Sequence, residues 1–279
     1  KELFNKMENK NINLELFCIT DKRVNFLESS SYKLGWVGRG EPPENYLRCD
    51  NGVNIFSKEK HYSELTFQYW YWKNKLDLNN KNWVGFCQKR RFWTKNSQNK
   101  ININKDISEI ILNHPAEEWK NKEAIICEPI KINKIKKMKM IKRGFKSLIK
   151  NPLPFFNENK RTIKFHFDMH HGYGNLDKAI DILSKNERSD FREYVNENCS
   201  FNPHIMFITK SPIMNRWYED LFEWLFECEK IFGFKGLKGY DTTRLYAYLA
   251  ERYLSFWFKK NTKYLQWPWT FFDFENYKT

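Results

Sequence analysis

Two neighbouring stretches decide the fold: residues 61–74 read HYSELTFQYWYWKN, and residues 84–93 read VGFCQKRRFW. In the first stretch, apolar side chains recur at helical spacing on two sides of a helix, at Leu65, Phe67, Tyr69, Trp70 and Trp72. Ser63 has the side chain of a good N-cap for that helix. The pattern predicts a buried aromatic helix inside a sizeable domain, followed by a strand that ends in the paired arginines Arg90 and Arg91.

Three polar residues interrupt this core-like helix: Glu64, Gln68 and Lys73. Buried polar groups need hydrogen-bond partners or a ligand. One interpretation pairs them with neighbouring backbone or with Arg90 and Arg91. The other makes them part of a binding site.

The order of residues in both stretches resembles a known family. The capsular polysaccharide synthesis glycosyltransferases grouped as domain of unknown function 4422 show a similar order, Ser-Glu-Leu-Thr-x-x-Tyr-Trp-x-Trp-Lys-Asn and then Gly-Phe-x-x-x-Arg-Arg. Residues 50–55, 202–208 and 249–254 agree with the family in sequence order, so the resemblance spans roughly residues 14–260. The family usually has His-Tyr-Arg-Arg after the strand, and this sequence has Gln88, Lys89, Arg90 and Arg91 there.

The composition is that of a folded protein with a positive surface. The chain has 279 residues, enough for one large domain or two small ones, and 41% hydrophobic with 18% aromatic residues excludes disorder of the whole chain. A formal charge of +14 attracts nucleic acid, anionic lipid headgroups or nucleotide diphosphates. Charge alone does not choose among these ligands.

The six cysteines are widely scattered and form no Cys-x-x-Cys pair. Neither a zinc ribbon nor a disulfide framework is indicated, so a reducing cytoplasm is the simplest setting. No apolar run approaches the ~20 residues that span a bilayer, and nothing at the start resembles a signal peptide. We expect a cytoplasmic protein.

Strand and helix patterns alternate along the chain, which favours an α/β fold. Residues 14–20 and 123–127 are predicted strands, residues 35–43 a turn-rich segment, and residues 211–232 a core helix, with a final helix opening at Asp241 or Thr242. No Gly-x-Gly-x-x-Gly or phosphate-loop motif is present, which argues against a Rossmann dehydrogenase or a P-loop kinase.

The resemblance implies a GT-A-like (Rossmann-like) α/β/α sandwich with a mixed central sheet. We expect one domain over residues 1–279. Its nucleotide-sugar-binding half would cover about residues 14–130, and its acceptor-binding half about residues 151–279. Residues 131–150 form a basic segment between the two halves.

The basic segment carries apolar residues spaced like one face of a helix, at Ile132, Ile135, Met138, Ile141 and Phe145. One interpretation is a solvated lysine-rich helix that packs by this apolar stripe. The other is adhesion to an anionic membrane, which would place the protein at the inner face of the membrane. We keep peripheral membrane contact as a secondary hypothesis.

The resemblance also implies how the donor is held. GT-A transferases usually bind the donor diphosphate through a metal on an Asp-x-Asp motif, and by order of elements residues 88–91 fall in its place. Two guanidiniums can neutralise a diphosphate without a metal. We therefore expect Arg90 and Arg91 to bind it with help from Lys89, with no cofactor, and a divalent Mn or Mg ion is the alternative. Further donor-binding candidates are Thr20, Lys22, Asp50, Asn54, Thr66 and Lys73.

Sugar transfer with inversion needs a carboxylate that takes a proton from the acceptor hydroxyl. Asp241, Glu251 and Glu64 are the candidates, and Asp241 is preferred because Glu251 next to Arg252 is typical of a structural ion pair. Arg244 shares a helix face with Glu251 at helical spacing. The acceptor-binding candidates are Arg244, His170, His171 and His204.

The run His166-x-Asp168-x-His170-His171 has a spacing that resembles a metal site. If the run is extended, His166, Asp168 and His170 share one face. An acceptor-binding edge and a hydrogen-bonded loop are equally compatible with a cluster this short. We assign no metal ligands here.

The sequence therefore predicts a glycosyltransferase that moves a sugar from a nucleotide-sugar donor to a surface glycan or lipid-linked oligosaccharide of capsule or lipopolysaccharide type. A basic protein that binds single-stranded nucleic acid is one alternative, since aromatic residues can stack on bases. A metal-dependent hydrolase built on residues 166–171 is another. Neither alternative accounts for the ordered motifs, and no nucleic-acid partner is expected.

Overall fold

The computed structural model describes residues 12–95 and 107–275. Their strands form a nine-stranded mixed sheet and a separate two-stranded sheet. The strands are β1 (Leu14–Thr20), β2 (Lys33–Trp36), β3 (Tyr46–Arg48), β4 (Trp83–Gln88), β5 (Arg91–Trp93), β6 (Ala124–Cys127), β7 (Ile130–Lys131), β8 (Ser200–Phe201), β9 (Phe207–Thr209), β10 (Tyr264–Trp267) and β11 (Trp269–Phe271).

Helices lie on both faces of the large sheet and between its strands in sequence. The α-helices are α1 (Asn25–Glu28), α2 (Glu59–Tyr62), α3 (Leu65–Asn74), α4 (Ile107–Ile110), α5 (Lys137–Lys150), α6 (Leu153–Phe156), α7 (Ile163–His171), α8 (Asn175–Ile180), α9 (Lys185–Glu197), α10 (Ser211–Phe232), α11 (Tyr240–Thr243) and α12 (Leu245–Asn261). Short 3₁₀ turns occupy Phe56–Lys58, Glu117–Trp119 and Glu158–Lys160.

The large sheet has the order β10-β6-β9-β4-β1-β2-β3, with β5 and β11 attached beside β4. Strand β1 pairs in parallel with both β4 and β2, whereas β9 runs antiparallel between β4 and β6. The carboxyl ends of β1, β2 and β4 therefore lie at one edge of the sheet. Ligands of open α/β sheets bind at such an edge.

Strand β1 shows why the sheet is covered on both faces. Phe17 and Ile19 belong to the core shared with α3, α10 and α12, while Leu16 and Cys18 belong to the core on the opposite face. This division follows from the two-residue period of a strand. The structure confirms the predicted mixed α/β fold with a central sheet between helices.

Close packing in the centre of the sheet explains why residue 85 is a glycine. A Cβ added at Gly85 of β4 would lie 2.5 Å from Cγ1 of Ile208 on β9. Real Cβ atoms essentially never come this near, so β4 and β9 can pair here, with Gly85 opposite Ile208, only without a side chain at residue 85.

Most predicted elements are confirmed. Residues 14–20 and 124–127 are strands, Leu65–Asn74 is a helix with Leu65, Phe67 and Trp70 buried, and the core helix spans Ser211–Phe232. The prediction of a turn-rich segment over residues 35–43 was only partly right, because strand β2 includes Gly35.

The prediction for Ser63 was wrong. Helix α3 is preceded by Glu64, and Ser63 is the joint between α2 and α3 with a φ of 53°. Ser63 contacts the helix through its carbonyl oxygen and not through its side chain: the carbonyl oxygen accepts a hydrogen bond from Oγ1 of Thr66 at 2.7 Å. The chain therefore bends sharply at a residue other than glycine.

The extended reading of residues 166–171 was also wrong, because they lie in α7. Helix α7 begins after Thr162, whose side chain accepts a hydrogen bond from the backbone N–H of Phe165. His166 and His170 are therefore one turn apart and stack at 4.4 Å between ring centroids, while Asp168 bonds to Lys164. His166, Asp168 and His170 would share one face only in a strand, where every second side chain points the same way; in a helix the neighbours are three or four residues apart.

The apolar stripe of the basic segment does not pack as one interpretation supposed. The helix begins at Lys137, and its buried residues are Met140, Gly144 and Ser147. Met138, Ile141 and Phe145 are exposed instead.

Candidate functional site

A small cavity lies at the sheet edge where β1, β2 and β4 end. Its volume is about 100 Å³. The residues that line it come from the strand ends and the turns after them, from α2 and its joint with α3, and from the residue before α12: Ile19, Thr20, Asp21, Val37, Glu59, Ser63, Glu64, Gln88, Lys89, Arg90, Arg91 and Arg244. We call this the strand-end cavity. It contains six of the residues predicted to bind or to act on substrates.

The cationic wall of the strand-end cavity is the turn between β4 and β5. Lys89 Nζ contacts Asp21 Oδ1 at 2.5 Å, and Arg91 Nη1 donates to Gln88 Oε1 at 3.3 Å. Arg90 Nη1 lies 3.8 Å from Asp273 Oδ2. Within the described residues, the buried Nε of Arg90 has no hydrogen-bond partner. The turn therefore offers guanidinium donors that the protein itself does not saturate.

The C-terminal strand holds this turn in place. Strand β11 pairs antiparallel with β5, so that Phe271 lies opposite Arg91. The backbone N–H of Phe272 donates to the carbonyl oxygen of Arg90 at 2.9 Å. The Phe271 ring lies 6.0 Å from the guanidinium of Arg90 and 5.7 Å from that of Arg91. Both arginines are thereby positioned from outside their own hairpin.

Carboxylates also line the strand-end cavity, at Asp21, Glu59 and Glu64. Burial raises the pKa of Glu59, against the positive charges of Arg244 and Arg39. Burial also acts to raise the pKa of Asp21, but the hydrogen bond and charge of Lys89 outweigh it, so that this pKa lies below its usual value. One carboxylate is thus fixed as an anion while another is closer to accepting a proton.

The end of β1 is fixed by a tight turn. Thr20 is buried, and its Oγ1 donates to the carbonyl oxygen of Lys22 at 2.5 Å. Lys22 points to Glu275, with 2.8 Å between Nζ and Oε1. Of these two donor candidates, Thr20 lines the cavity and Lys22 lies beside it.

Four other donor candidates lie away from the strand-end cavity. Asp50 pairs with Arg48 at 2.7 Å, and the Asn54 side chain bonds to the backbone of its own loop. Thr66 is buried against Ser63, and Lys73 Nζ lies 3.3 Å from the ring centroid of Trp72. Each of the four has a local structural partner.

His204 and Glu251 form a buried polar cluster with Arg252. Glu251 Oε1 accepts from the backbone N–H of His204 at 2.5 Å, and Oε2 contacts Nη1 of Arg252. Burial, with the charge of Arg91, lowers the pKa of His204 to about 3. Glu251 therefore has the ion pair that its sequence neighbour suggested, and His204 is a neutral group close to the arginine turn.

The histidines of α7 continue this polar cluster. Arg252 Nη2 donates to Nδ1 of His166 at 3.4 Å, and Nδ1 of His171 donates to the carbonyl oxygen of Asp241 at 2.9 Å. Burial and the charge of Arg252 lower the pKa of His171 to about 3. Burial also lowers the pKa of His170. We call His166, His170 and His171 the α7 histidines.

Asp241 lies with the α7 histidines and not in the strand-end cavity. Its carboxylate is 3.4 Å from Nη1 of Arg143 on α5. Among the three predicted carboxylates, Glu64 lines the cavity, whereas Asp241 and Glu251 contact other charged groups.

No arrangement of three or more His, Cys, Asp or Glu side chains that could hold a metal ion occurs in residues 12–95 and 107–275. The α7 histidines have an arginine among their neighbours, which disfavours a cation. The described part of the site therefore gives no support to a hydrolase built on residues 166–171.

Asp21, Glu59 and Gln88 are cavity residues that the sequence reasoning did not select. Asp21 and Gln88 could have been found, since each adjoins the end of a predicted strand. Glu59 had no comparable signal, because it reaches the cavity only through the bend at Ser63.

The fold matches that of a solved glycosyltransferase structure. The chain is similar to a solved structure described as the apo form of the WbbM bifunctional glycosyltransferase, with a TM-score of 0.67, at 19% identity over 93% of this chain and 45% of that chain. This chain thus spans less than half of that one, and at this identity the likeness shows the fold alone.

The chain belongs to the family described as Domain of unknown function (DUF4422), whose model matches residues 15–262. The predicted membership of this domain family is thereby confirmed, and its link to capsular polysaccharide synthesis stays a prediction. The curated proteins contain no match. Among the helices of the described ranges, none combines the length and apolar character needed to cross a bilayer.

Proposed function

We propose that the protein is a glycosyltransferase that takes its sugar from a nucleotide-sugar donor and delivers it to a surface glycan of capsule or lipopolysaccharide type. The observation that carries the proposal is the strand-end cavity, where Lys89, Arg90, Arg91 and Arg244 meet at the carboxyl ends of parallel strands. The family membership and the shared fold with a glycosyltransferase support it.

The arginine turn is suited to a diphosphate. A planar guanidinium presents paired N–H donors that match two phosphate oxygens, and the charge is permanent. In the described residues, Arg90 has a buried Nε without a hydrogen-bond partner, and the guanidinium of Arg91 donates one side-chain hydrogen bond, of 3.3 Å to Gln88. We propose that both bind the donor diphosphate, with Lys89 shared between Asp21 and the phosphates. The protein then needs no Asp-x-Asp metal site.

The proton acceptor is proposed to be a carboxylate of the strand-end cavity. Glu64 was already a candidate from the sequence, and Glu59 lies beside it with a pKa raised by burial. In this assignment Glu64, already selected from the sequence, takes the proton from the acceptor hydroxyl, and Glu59 lies near the positive charge of Arg244. Asp241 and Glu251 are left with positioning roles.

The acceptor is proposed to approach from the side of His204 and the α7 histidines. His204 is neutral and lies close enough to Arg91 for that charge to lower its pKa, so it borders the proposed donor site. The α7 histidines, also kept neutral by burial, extend that polar surface toward α5. Neutral imidazoles can donate to or accept from sugar hydroxyls. We place the protein's action at the cytoplasmic face of the membrane, on a lipid-linked acceptor.

The test is thermal stabilisation of the purified protein against UDP, GDP, CMP and dTDP sugars, with and without Mn²⁺ and EDTA. We expect the sugars of one nucleotide family to raise the melting temperature. This increase should be unchanged by EDTA and lost in the double variant Arg90→Ala/Arg91→Ala. The matched control is Arg192→Ala, which removes an arginine of α9 that is paired with Asp181, and it should keep the shift.

A shift that survives in the double arginine variant would reject the arginine turn as the donor site. A shift that requires Mn²⁺ would reject metal-independent binding. No shift with any donor, combined with tight binding of single-stranded DNA, would favour the nucleic-acid alternative.

A further inference from the structure

Helices α5 and α6 carry a group of exposed apolar side chains: Met138, Ile141, Phe145, Ile149, Leu153 and Phe156. The exposed fractions reach 76% for Met138 and 77% for Phe156. The four members on α5 follow one another at intervals of three or four residues, so they form a line along the helix. We call this set the apolar stripe. Single exposed apolar residues are ordinary, whereas a contiguous set marks an interaction surface.

The apolar stripe is not needed to hold α5 on the protein. A different face packs on α7, where Met140 is fully buried and forms a small core with Phe165 and Met169. A Cβ at Gly144 would lie 3.2 Å from Cγ of Met169, so the two helices approach closely there. The helix is therefore attached to the protein by one face and leaves the stripe to another partner.

A row of positive charges runs beside the apolar stripe. Residues 131–150 contain nine Lys and Arg residues and no Asp or Glu. Lys142 and Lys146 each follow a stripe residue by one position, which rotates them by about 100° around the helix. The surface of α5 thus has three sectors, one packed on α7, one apolar and exposed, and one basic.

We infer that this surface binds an anionic phospholipid bilayer, with the apolar stripe at the boundary between headgroups and acyl chains and the basic row on the lipid phosphates. An apolar sector beside a basic sector is the pattern of helices that lie in a membrane interface. Nucleic acid would use the basic row and leave the stripe in water. A second copy of the chain would bring two strongly basic segments together. A bilayer satisfies both sectors.

The position of the surface agrees with a lipid-linked acceptor. Arg143 of α5 contacts Asp241 at 3.4 Å, and α7, on which α5 packs, carries the α7 histidines. Docking would therefore place the proposed acceptor side next to the bilayer. The inference goes beyond the proposed function and stands or falls independently of sugar transfer, since its test measures membrane binding alone.

The experiment is sedimentation of the protein with phosphatidylcholine vesicles that either contain or lack phosphatidylglycerol, at low and at high salt. We expect binding that depends on phosphatidylglycerol and weakens with salt. The stripe variant Phe145→Ser/Ile149→Ser should bind roughly tenfold or more weakly. The charge variant Lys142→Glu/Lys146→Glu should also lose roughly tenfold or more.

Matched controls separate these effects from general changes. Leu78→Ser removes an exposed apolar residue elsewhere, and Lys120→Glu/Lys185→Glu makes the same change in net charge elsewhere. Both should bind vesicles within about twofold of the natural protein. All replaced side chains are exposed, so unchanged thermal unfolding is expected and checks the fold.

The inference is overturned if the stripe variant binds vesicles as well as its control. It is also overturned if light scattering shows a dimer that the stripe variant abolishes, or if single-stranded DNA is bound and vesicles are not.

Discussion

The strand-end cavity and the α7 histidines are both clusters of ionisable side chains, and they differ in how fully the protein itself satisfies them. In the cavity, Arg90 keeps a buried Nε without a partner among the described residues, and Arg91 has one long bond. Around α7, His170 bonds to the backbone oxygen of His166, and His171 bonds to that of Asp241. Unsatisfied donors favour binding of a ligand, whereas satisfied ones favour stability.

For locating a functional site, the spacing of reactive residues in the sequence is therefore a weaker guide than their position at the end of a strand. Residues 166–171 had the spacing of a metal site but lie in a packed helix, where consecutive residues point in different directions. The residues of the strand-end cavity come from five separate parts of the sequence. They meet because β1 and β4 are parallel neighbours that end at the same edge.

The largest expected effect concerns the carboxylates of the two regions. Glu64→Gln in the strand-end cavity should lower turnover about 10²–10⁴-fold, because it removes the proposed proton acceptor. Asp241→Asn, beside the α7 histidines, is the matched variant and should change turnover less than about threefold. Release of free nucleotide from the donor found in the thermal screen measures both. The opposite ranking would move the base to Asp241.

The next largest effect is on stability. Glu251→Ala leaves the buried guanidinium of Arg252 without its carboxylate and the N–H of His204 without its acceptor. We expect a loss of about 3–5 kcal/mol in the free energy of unfolding. Urea denaturation measures it, with Glu219→Ala on the exposed side of α10 as the control. A Glu251 variant of full stability and no activity would show that Glu251 is catalytic and not structural.

The smallest effect is a dependence of stability on pH. His171 and His204 have pKa values lowered from 6.5 to about 3, so in the folded protein they stay neutral where the unfolded chain binds protons. Stability should therefore fall as the pH drops below 6.5, by about 2 kcal/mol for each histidine at pH 5. Urea denaturation at pH 7 and pH 5 measures the loss, and His171→Asn should reduce it. An equal loss in that variant would contradict the lowered pKa of His171.

Much of the fold could be predicted because its main elements have strong local patterns. Strand β1 is a run of apolar residues, and α10 has apolar residues at helical spacing from Met214 to Cys228. Strand β2 was missed because Gly35 suggests a turn, although the glycine is required there by the Phe67 ring, which a Cβ would meet at 2.5 Å. That contact joins residues distant in sequence, and local patterns do not show it.

The candidate site could be predicted only in part. Arg90, Arg91 and Thr20 were found because they adjoin predicted strands or match a family motif. Glu59 was not found, because the bend at Ser63 that directs α2 toward the cavity has no local signal: serine rarely adopts a φ of 53°. For α7, Thr162 was a usable signal, since a threonine before the run is typical of a helix start.

The attachment of β11 beside β5 has a consequence for how the protein is made. The turn that carries Arg90 and Arg91 is held by the N–H of Phe272 and by Asp273, which lie some 180 residues later in the chain. Domains emerge from the ribosome beginning with their N-terminal residues. The central strands can pair early in synthesis, but the arginine turn acquires its final supports only after residue 273 has left the ribosomal exit tunnel. The nascent chain is therefore expected to bind the proposed donor only after β11 and Asp273 have emerged and packed beside β5.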